Sequence, residues 1–341
     1  MKLSVMLNYA GDVKAMADEV SALEKAGVDC VWVAEAYSFD AISMMGYLAA
    51  STERVEIGSA IVNVYSRTAT LLAMTFAGLD SVSGGRINCG LGASGPQVIE
   101  GFHGVPYDKP MQRIKETIEV CRATWRREVI DYHGKTIDIP LPEGEGTGLA
   151  KPLKLINHPV RESIPIWWAS LKGLSVAATA EVADGWIPIF YSPASAGMYQ
   201  PWLDEGFARP GARRTREDFE IASTCHLQVT DDPGPVLDAL RPSLSLYMGG
   251  MGAKEQNFHK QVFERMGYAD LADRVQELYL SGSKDEATAL IPDALVDDMH
   301  IIGDAAEVRD KVAQWEETGV TTLLLSCRTA AEVHEVAEVL A

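Results

Sequence analysis

The sequence has no long apolar run and little positive charge. Its longest apolar stretches, such as Ile57 to Val64, are interrupted within about ten residues, whereas a membrane-spanning helix needs roughly 20. Lys and Arg number 30 against 48 Asp and Glu, for a formal net charge of -18. Because affinity for a phosphate backbone comes from clustered Lys and Arg, we expect neither a nucleic-acid nor a membrane partner. An anionic ligand must be met locally, by helix N-termini and a few placed cations.

Motifs built on cysteine and histidine are also missing. The five cysteines form no C-x-x-C pair, so we expect no disulfide framework and assign most of them to the core. The seven histidines show neither H-x-H nor H-E-x-x-H spacing, and we expect no catalytic metal. The first residues, Met1 to Asn8, indicate a strand and lack the apolar core and cleavage site of a secretory signal. We therefore expect a cytoplasmic protein.

What is present is an alternation of short apolar runs with amphipathic stretches. Eight runs are strand candidates: Met1–Asn8, Val31–Val33, Arg54–Ile61, Arg86–Leu91, Ile164–Trp168, Asp184–Ile189, Phe219–Val229 and Thr321–Leu325. Helical periodicity marks stretches such as Val13–Lys25, Thr70–Val82, Met111–Arg126, Leu174–Val182 and Ala305–Thr318. Repeated strand-helix units predict α/β architecture with a parallel sheet, and this number of units favours a (β/α)8 TIM barrel over an open doubly wound sheet.

Two segments are longer than an ordinary connection. Residues 129–162 include the Pro- and Gly-rich run Ile139–Gly146, which predicts a long loop with room for a small hairpin. Residues 241–298 show further helical patterns. We expect both insertions at the carboxyl-terminal face of one barrel domain that spans residues 1–341, where a substrate lid would lie.

Polar residues that follow the strands are the candidates for the site, because barrel enzymes place their chemistry at the carboxyl ends of the strands. These residues are Asn8, Glu35, Asn63, Arg67, Ser94, Ser170, Lys172 and Asp184. Glu35 would accept a hydrogen bond from a ring N–H or handle a proton. The alternative is a carboxylate placed at a helix N-terminus for the macrodipole.

Two further segments would approach a ligand through the backbone. Gly90, Gly92 and Gly95 spell G-x-G-x-x-G, but Pro96 follows at once and leaves no room for the long helix of a dinucleotide fingerprint. Close approach of a flat ligand and a plain bend both explain these glycines. The run Ser170-Leu171-Lys172-Gly173 joins a strand to a helix and outlines an anion site, with Lys172 as an added charge or as an ordinary solvated lysine.

Taken in order, several motifs resemble the luciferase-like monooxygenase superfamily, and most closely its coenzyme F420 (deazaflavin)-dependent branch, which includes methylenetetrahydromethanopterin reductase-like proteins. The matching runs are Ala26–Trp32, Thr52–Gly58, Ser66–Thr68, Asp80–Arg86, Ala183–Trp186 and Gly319–Thr321. The resemblance implies a luciferase-like TIM barrel, a homodimer, and an enzyme that transfers a hydride between F420 and a small organic substrate.

The resemblance also implies where the cofactor lies. A non-proline cis peptide at Ala60–Ile61 would back the deazaflavin ring, and the backbone of residues 170–173 would hold its phosphate. Relatives carry an aspartate and a histidine at the position of Glu35, but here Ala36 follows. The full set of predicted cofactor-binding residues is Glu35, Ala60, Ile61, Asn63, Gly92, Ser94, Ser170, Leu171, Lys172, Gly173 and Asp184, with Glu35 also catalytic.

Two alternatives share the fold. One is an FMN-dependent luciferase-like monooxygenase, which would need a flavin reductase as partner. The other is a barrel that binds a cofactor without catalysis. Fold by itself separates neither from the F420-dependent enzyme.

Overall fold

The computed structural model describes residues 1–8, 12–251, 257–326 and 329–340. Its strands are β1 (Lys2–Met6), β2 (Cys30–Val33), β3 (Glu56–Ser59), β4 (Val62–Asn63), β5 (Ile87–Gly92), β6 (Tyr132–His133), β7 (Asp138–Ile139), β8 (Ile166–Trp168), β9 (Gly185–Trp186), β10 (Glu220–Cys225), β11 (Leu227–Val229), β12 (Ile301–Gly303) and β13 (Thr322–Ser326).

The helices of the described residues are α1 (Val13–Lys25), α2 (Ala41–Ser51), α3 (Ala69–Ser83), α4 (Pro96–Ile99), α5 (Pro110–Trp125), α6 (Gly173–Val182), α7 (Pro193–Phe207), α8 (Gly234–Gly249), α9 (Lys260–Phe263), α10 (Ala269–Leu280), α11 (Lys284–Ala289), α12 (Asp293–Asp298), α13 (Ala305–Glu317) and α14 (Ala330–Leu340). A kinked turn, Glu264–Tyr268, in which Gly267 has a φ of 93°, joins α9 to α10.

Eight parallel strands close into a barrel, so the predicted (β/α)8 TIM barrel is confirmed. The order around the barrel is β1, β2, β3, β5, β8, β9, β10 and β13, and β13 pairs with β1. Pairing of β3 with β5 closes the ring, while β4 extends from β3 and pairs with the end of β5. The carboxyl ends of all eight strands therefore meet at one face, which we call the mouth.

The covering helices begin where their sequences supply a cap and a buried stripe. Asp12 accepts hydrogen bonds from the backbone N–H groups of Lys14 and Ala15, which starts α1. Ala17, Val20 and Leu23 then lie at helical spacing and are buried against the barrel. Cys30, Cys89, Cys121 and Cys225 are buried, as expected of core residues, and Cys327 lies outside the described residues. Among helices of the described residues, none has the length and apolar character needed to span a bilayer.

Two tryptophans fill the barrel. Trp32 and Trp167 meet edge to face with ring centroids 5.2 Å apart. A Cβ atom at Gly58 would collide with the Trp32 ring, and one at Gly185 would collide with the Trp167 ring. Glycine at these two strand positions thus makes room for two large side chains, whose packing makes the barrel a solid core and not a pore.

The first insertion does not lie at the carboxyl-terminal face, where the sequence analysis predicted it. Residues 129–162 connect the end of α5 to the start of β8, so they enter and leave at the amino-terminal edge of the barrel. Arg161 donates a hydrogen bond to the carbonyl of Ile87, the first residue of β5. The β6–β7 hairpin packs on the outer sides of α3 and α5, where Val120 and Ile130 share an apolar cluster. This segment does not line the mouth.

The second insertion does lie at the mouth. Helices α8 to α12 pack around an apolar cluster of their own, which Phe190 joins from the loop after β9. The helical segment begins at Gly234, before the expected start at residue 241. The predicted strand Phe219–Val229 is two strands, because the chain leaves the barrel at His226 and β11 pairs with β12. The division of the chain into one domain stays a prediction.

Candidate active site

The end of β3 forms the floor of the mouth. The peptide bond between Ala60 and Ile61 is cis, at the position that the family resemblance implies. The N–H of Ala60 donates to the carbonyl of Val33 at 2.8 Å. A Cβ atom at Gly92 would lie 2.8 Å from Cδ1 of Ile61. Only glycine at position 92 fits against Ile61 without displacing it, so Gly92 is explained by close approach of β5 to this floor.

A side-chain bridge fixes β3 to β5 below the floor. The hydroxyl of Ser59 donates to the carbonyl of Gly90 at 2.8 Å and accepts from the Gly90 N–H at 2.9 Å. A Cβ atom at Gly90 would collide with the Ser59 backbone. Gly90 and Gly92 are therefore explained by the close approach of β5 to the end of β3.

Asn63 shapes the turn that follows the floor. Its Oδ1 accepts the backbone N–H groups of Tyr65 at 3.0 Å and Ser66 at 2.8 Å, and its side chain is buried. This Asx turn directs the next residue, Arg67, toward the loop after β2. Asn63 thus acts on the geometry of the mouth through the backbone.

Glu35 and Arg67 form a bidentate ion pair beside the floor. Nη1 of Arg67 lies 2.8 Å from Oε2 of Glu35, and Nη2 lies 2.8 Å from Oε1. The Glu35 side chain is 7% exposed and that of Arg67 16%. Oε1 also accepts the N–H of Ala41, the first residue of α2. The hydrogen bonds to Glu35 raise the pKa of Arg67. Both oxygens of the predicted catalytic carboxylate are therefore engaged within the protein.

Ser94 follows β5 in a left-handed conformation, with φ of 57°. Tyr107 donates its hydroxyl to the Ser94 carbonyl at 3.1 Å. Tyr107 stacks on Tyr65 at 5.3 Å between centroids, and Tyr65 donates to the carbonyl of Asp108. Burial raises the pKa of Tyr65 to about 12, so both phenols stay protonated donors. This aromatic support holds the loop after β5 in one position.

The loop after β8 leads into α6 and faces the mouth through its backbone. The hydroxyl of Ser170 pairs with that of Thr179 at 2.8 Å, and its carbonyl accepts the indole N–H of Trp186. A Cβ atom at Gly173 would lie 2.7 Å from Cε2 of Trp202. Ser170 and Gly173 therefore shape the loop, while the N–H groups of the first turn of α6 are the groups that can meet an anion.

Two cations flank this helix N-terminus. Nζ of Lys172 lies 3.9 Å from the ring centroid of Phe258, and Nη2 of Arg265 donates to the Leu171 carbonyl at 3.2 Å. Burial lowers the pKa of Lys172, and the charge of Arg265 lowers it further. Across the described ranges, neither cation has a carboxylate within ion-pair distance. Their positive charge is thus available to an anion.

The sequence did not predict Arg265 as a site residue. It lies 94 positions from Leu171 in the chain, inside the kinked turn Glu264–Tyr268 of the second insertion. No motif marks it, and only the folding of the insertion over the mouth brings it to α6.

Asp184 lies at the opposite end of the barrel from the other candidates. Its Oδ2 accepts the N–H of Ile166, the first residue of β8, at 3.0 Å. Arg122, Arg213 and Arg214 surround the same carboxylate at 2.6 to 3.2 Å. The hydrogen bond from the Ile166 N–H, with the charges of Arg122 and Arg213, holds the pKa of Asp184 below its usual range. Asp184 comes just before β9, whereas a residue of the mouth would come after the strand. It therefore joins helices and strands at the amino-terminal edge of the barrel, and its predicted place in the cofactor site is wrong.

The luciferase-like monooxygenase family model matches residues 1–322. The chain belongs to this family. A protein of Mycobacterium tuberculosis that carries the name coenzyme F420-dependent oxidoreductase is 48% identical over 341 residues, which cover 99% of this chain and 98% of the relative. The 5,10-methylenetetrahydromethanopterin reductase of Archaeoglobus fulgidus is 24% identical over 311 residues, covering 89% of this chain and 87% of its own.

Solved structures of this family share the fold described above. A coenzyme F420-dependent tetrahydromethanopterin reductase from Methanopyrus kandleri superposes with a TM-score of 0.82 at 20% identity, over 99% of this chain and 97% of its own. An F420-dependent secondary alcohol dehydrogenase, solved with an F420-acetone adduct, gives a TM-score of 0.73 at 17% identity over the full length of both chains.

Proposed function

We propose that this protein is a coenzyme F420-dependent oxidoreductase, which transfers a hydride between the deazaflavin and a small organic substrate. The observation that carries the proposal is the pair of cations, Lys172 and Arg265, at the N-terminus of α6 near the Ala60–Ile61 floor; neither forms an ion pair with a carboxylate of the described residues. This arrangement suits a flat ring with a phosphate-bearing tail. The relative at 48% identity carries the same cofactor in its name.

The residues present fit the two parts of such a cofactor. Ala60, Ile61 and Ala169 are small or apolar and only partly buried at the top of the barrel, so a flat ring can rest on them. The N–H groups of α6, with Lys172 and Arg265, suit a phosphate. When bound, F420 supplies the hydride chemistry at its ring, and the protein supplies binding and orientation.

Glu35 and Arg67 complete the proposed site as a positioning pair. Their double hydrogen bond ties the loop after β2 to the turn after β4, on either side of the floor. In the proposed reaction, the protein thus holds the ring against the floor, anchors the tail at α6 and keeps both neighbouring loops in place. The proton-handling role of Glu35 stays a prediction, which Glu35→Gln tests through the pH profile of turnover.

Cofactor titration tests the proposal. F420 and FMN are titrated side by side into the purified protein, and the fluorescence of each ligand is followed. We expect F420 to bind at least about tenfold more tightly than FMN. Binding of FMN without F420 would contradict the proposal and favour the monooxygenase, whose turnover would consume oxygen. Binding of F420 without turnover across unsaturated, carbonyl and alcohol substrates would favour the non-catalytic barrel.

We also infer a homodimer and a cytoplasmic location. One face of α3 exposes Leu71, Met74 and Val82, and Tyr47 of the neighbouring α2 is exposed beside it. A Cβ atom at Gly78, on the same face, would touch nothing within 4 Å. A contiguous apolar face on two helices is typical of a surface that a second copy covers. The buried thiols, which form no disulfide, suit a reducing compartment.

A further inference from the structure

Two loops meet above the floor of the mouth. In the barrel order, β3 lies between β2 and β5, so the loops that follow β2 and β5 stand on either side of Ala60–Ile61. Tyr37, from the loop after β2, and Phe102, from the loop after β5, approach each other with ring centroids 6.4 Å apart and planes tilted by 54°. The two rings therefore span the end of β3.

These rings are unusually exposed. Tyr37 is 72% exposed and Phe102 65% exposed, and Phe39 of the same loop after β2 is 73% exposed. Single exposed apolar residues need no explanation, but two aromatic rings that meet at the mouth form a patch of the kind that marks a ligand-binding surface. No described residue covers the Tyr37–Phe102 pair from the solvent side.

The charges around the pair are neutralised within the protein. Glu35 is engaged with Arg67, and Asp40 caps α2 by accepting the Ser43 N–H at 2.9 Å and hydroxyl at 2.8 Å. On the other loop, Arg113 lies 3.8 Å from Asp108. Among the described residues near the pair, a carboxylate entering this side of the mouth would thus find the cations already engaged with Glu35 and Asp108.

We propose that Tyr37 and Phe102 form an aromatic clamp for the substrate, and that the substrate is an uncharged compound with a flat, conjugated ring. Aromatic side chains attract flat rings beyond the gain from burial of apolar area, and neither ring carries a charge that could form an ion pair with a carboxylate. The inference rests on the proposed function, which places the cofactor on the floor below the clamp and its phosphate at Lys172 and Arg265.

The test compares three probes of similar size on the F420-loaded protein: 2-acetylnaphthalene, 2-naphthoate and 2-acetyldecalin, titrated by NMR. The ketone with the flat ring is expected to bind at least about tenfold more tightly than the carboxylate and the saturated ketone. Equal affinity for ketone and carboxylate would overturn the neutral preference. Equal affinity for the flat and saturated ketones, or no binding of 2-acetylnaphthalene, would overturn the clamp.

Variants assign the effect to the clamp. Tyr37→Ala combined with Phe102→Ala is expected to weaken 2-acetylnaphthalene about tenfold, while the F420 dissociation constant stays within about twofold. Tyr37→Leu with Phe102→Leu keeps apolar bulk and is expected to abolish the preference for the flat ring over the saturated one. Leu149→Ala, which removes an 84% exposed side chain away from the mouth, serves as the control and should change nothing.

Failure of the two proposals is distinguishable. If the wild-type protein binds F420 but does not discriminate among the probes, or the clamp variants bind them unchanged, the clamp is wrong and the proposed function stands. If the protein does not bind F420, the proposed function fails, and the same three probes titrated into the protein alone still report whether the two rings select a flat, uncharged compound.

Discussion

At the residue scale, the proposed anion site depends on two side chains from distant parts of the chain. Lys172 precedes α6 and Arg265 reaches the same point from the second insertion. Phe258 stacks on Lys172, and the Leu171 carbonyl accepts from Arg265. These contacts hold both cations in place before a ligand arrives, which lowers the entropy cost of binding.

Removal of either cation should weaken F420 binding. Lys172→Ala and Arg265→Ala are each expected to raise the F420 dissociation constant at least about tenfold, because hydrogen bonds to a charged group are roughly twice as strong as neutral ones. Fluorescence titration measures the change. Arg274→Ala removes an exposed arginine that pairs only with Glu277 and serves as the control. A change below about twofold in both variants would remove these residues from the site.

The Glu35–Arg67 pair should matter for stability. Arg67→Met leaves the Glu35 carboxylate buried without its partner, and loss of one member of a buried pair costs about 3 kcal/mol. Urea unfolding measures the free energy. The matched change Arg274→Met breaks an exposed pair and is expected to cost less than about 1 kcal/mol. Equal losses in the two variants would show that the Glu35–Arg67 contact has no special weight.

At the element scale, a partly buried histidine, His300, lies at the start of the β11–β12 ribbon and must stay neutral. The N–H of His226 donates to Nδ1 of His300 at 3.1 Å, so that nitrogen acts as an acceptor. Burial, with a smaller contribution from His226, lowers the pKa of His300 from 6.5 to about 3. Burial likewise lowers the pKa of His259, in the second insertion, to about 4. The stability of the ribbon and of the second insertion therefore depends on pH.

The sign of this dependence follows from proton binding. At pH values between the unfolded pKa of 6.5 and the folded pKa of about 3, His300 is protonated in the unfolded chain and neutral in the folded protein. Stability is thus complete above 6.5 and falls with pH below it, by about 2 kcal/mol from pH 7 to pH 5 for this histidine.

Urea unfolding at pH 7 and pH 5 measures this loss. His300→Asn keeps an acceptor for the His226 N–H but cannot titrate, so its loss between the two pH values should be smaller by about 2 kcal/mol. His334→Asn, at an exposed position of α14, should leave the loss unchanged. An unaltered loss in His300→Asn would contradict the assignment.

At the scale of the whole molecule, the exposed face of α3 predicts self-association. Light scattering should give the wild-type protein twice the mass of one chain. Met74→Asp places a charge on the middle of this face, and a twofold axis would bring that charge close to its copy, so we expect a monomer. Leu149→Asp, a charge at an exposed site elsewhere, should leave the dimer intact. A monomeric wild-type protein would refute the inferred interface.

Local pattern was sufficient to predict the barrel and to choose several residues of the candidate site. The alternation of strands and amphipathic helices predicted the closed barrel, and α1 begins and ends where its periodicity does. The polar residues after the strands included Glu35, Asn63 and Lys172, because position after a strand is a local property. Helix α2 shows a weaker amphipathic pattern, since its residues from Ala41 to Ala49 are largely apolar even though the buried ones lie on one face.

The sequence by itself therefore determined the fold class, the family, and which strand ends could bear chemistry, since periodicity and short motifs are written in consecutive residues. Only the tertiary structure decided which side chains meet. Glu35 finds Arg67 across 32 positions, Arg265 finds Leu171 across 94, and Asp184 turns out to serve the opposite edge. Such partners depend on barrel closure and on how the insertions fold back, which no local pattern encodes.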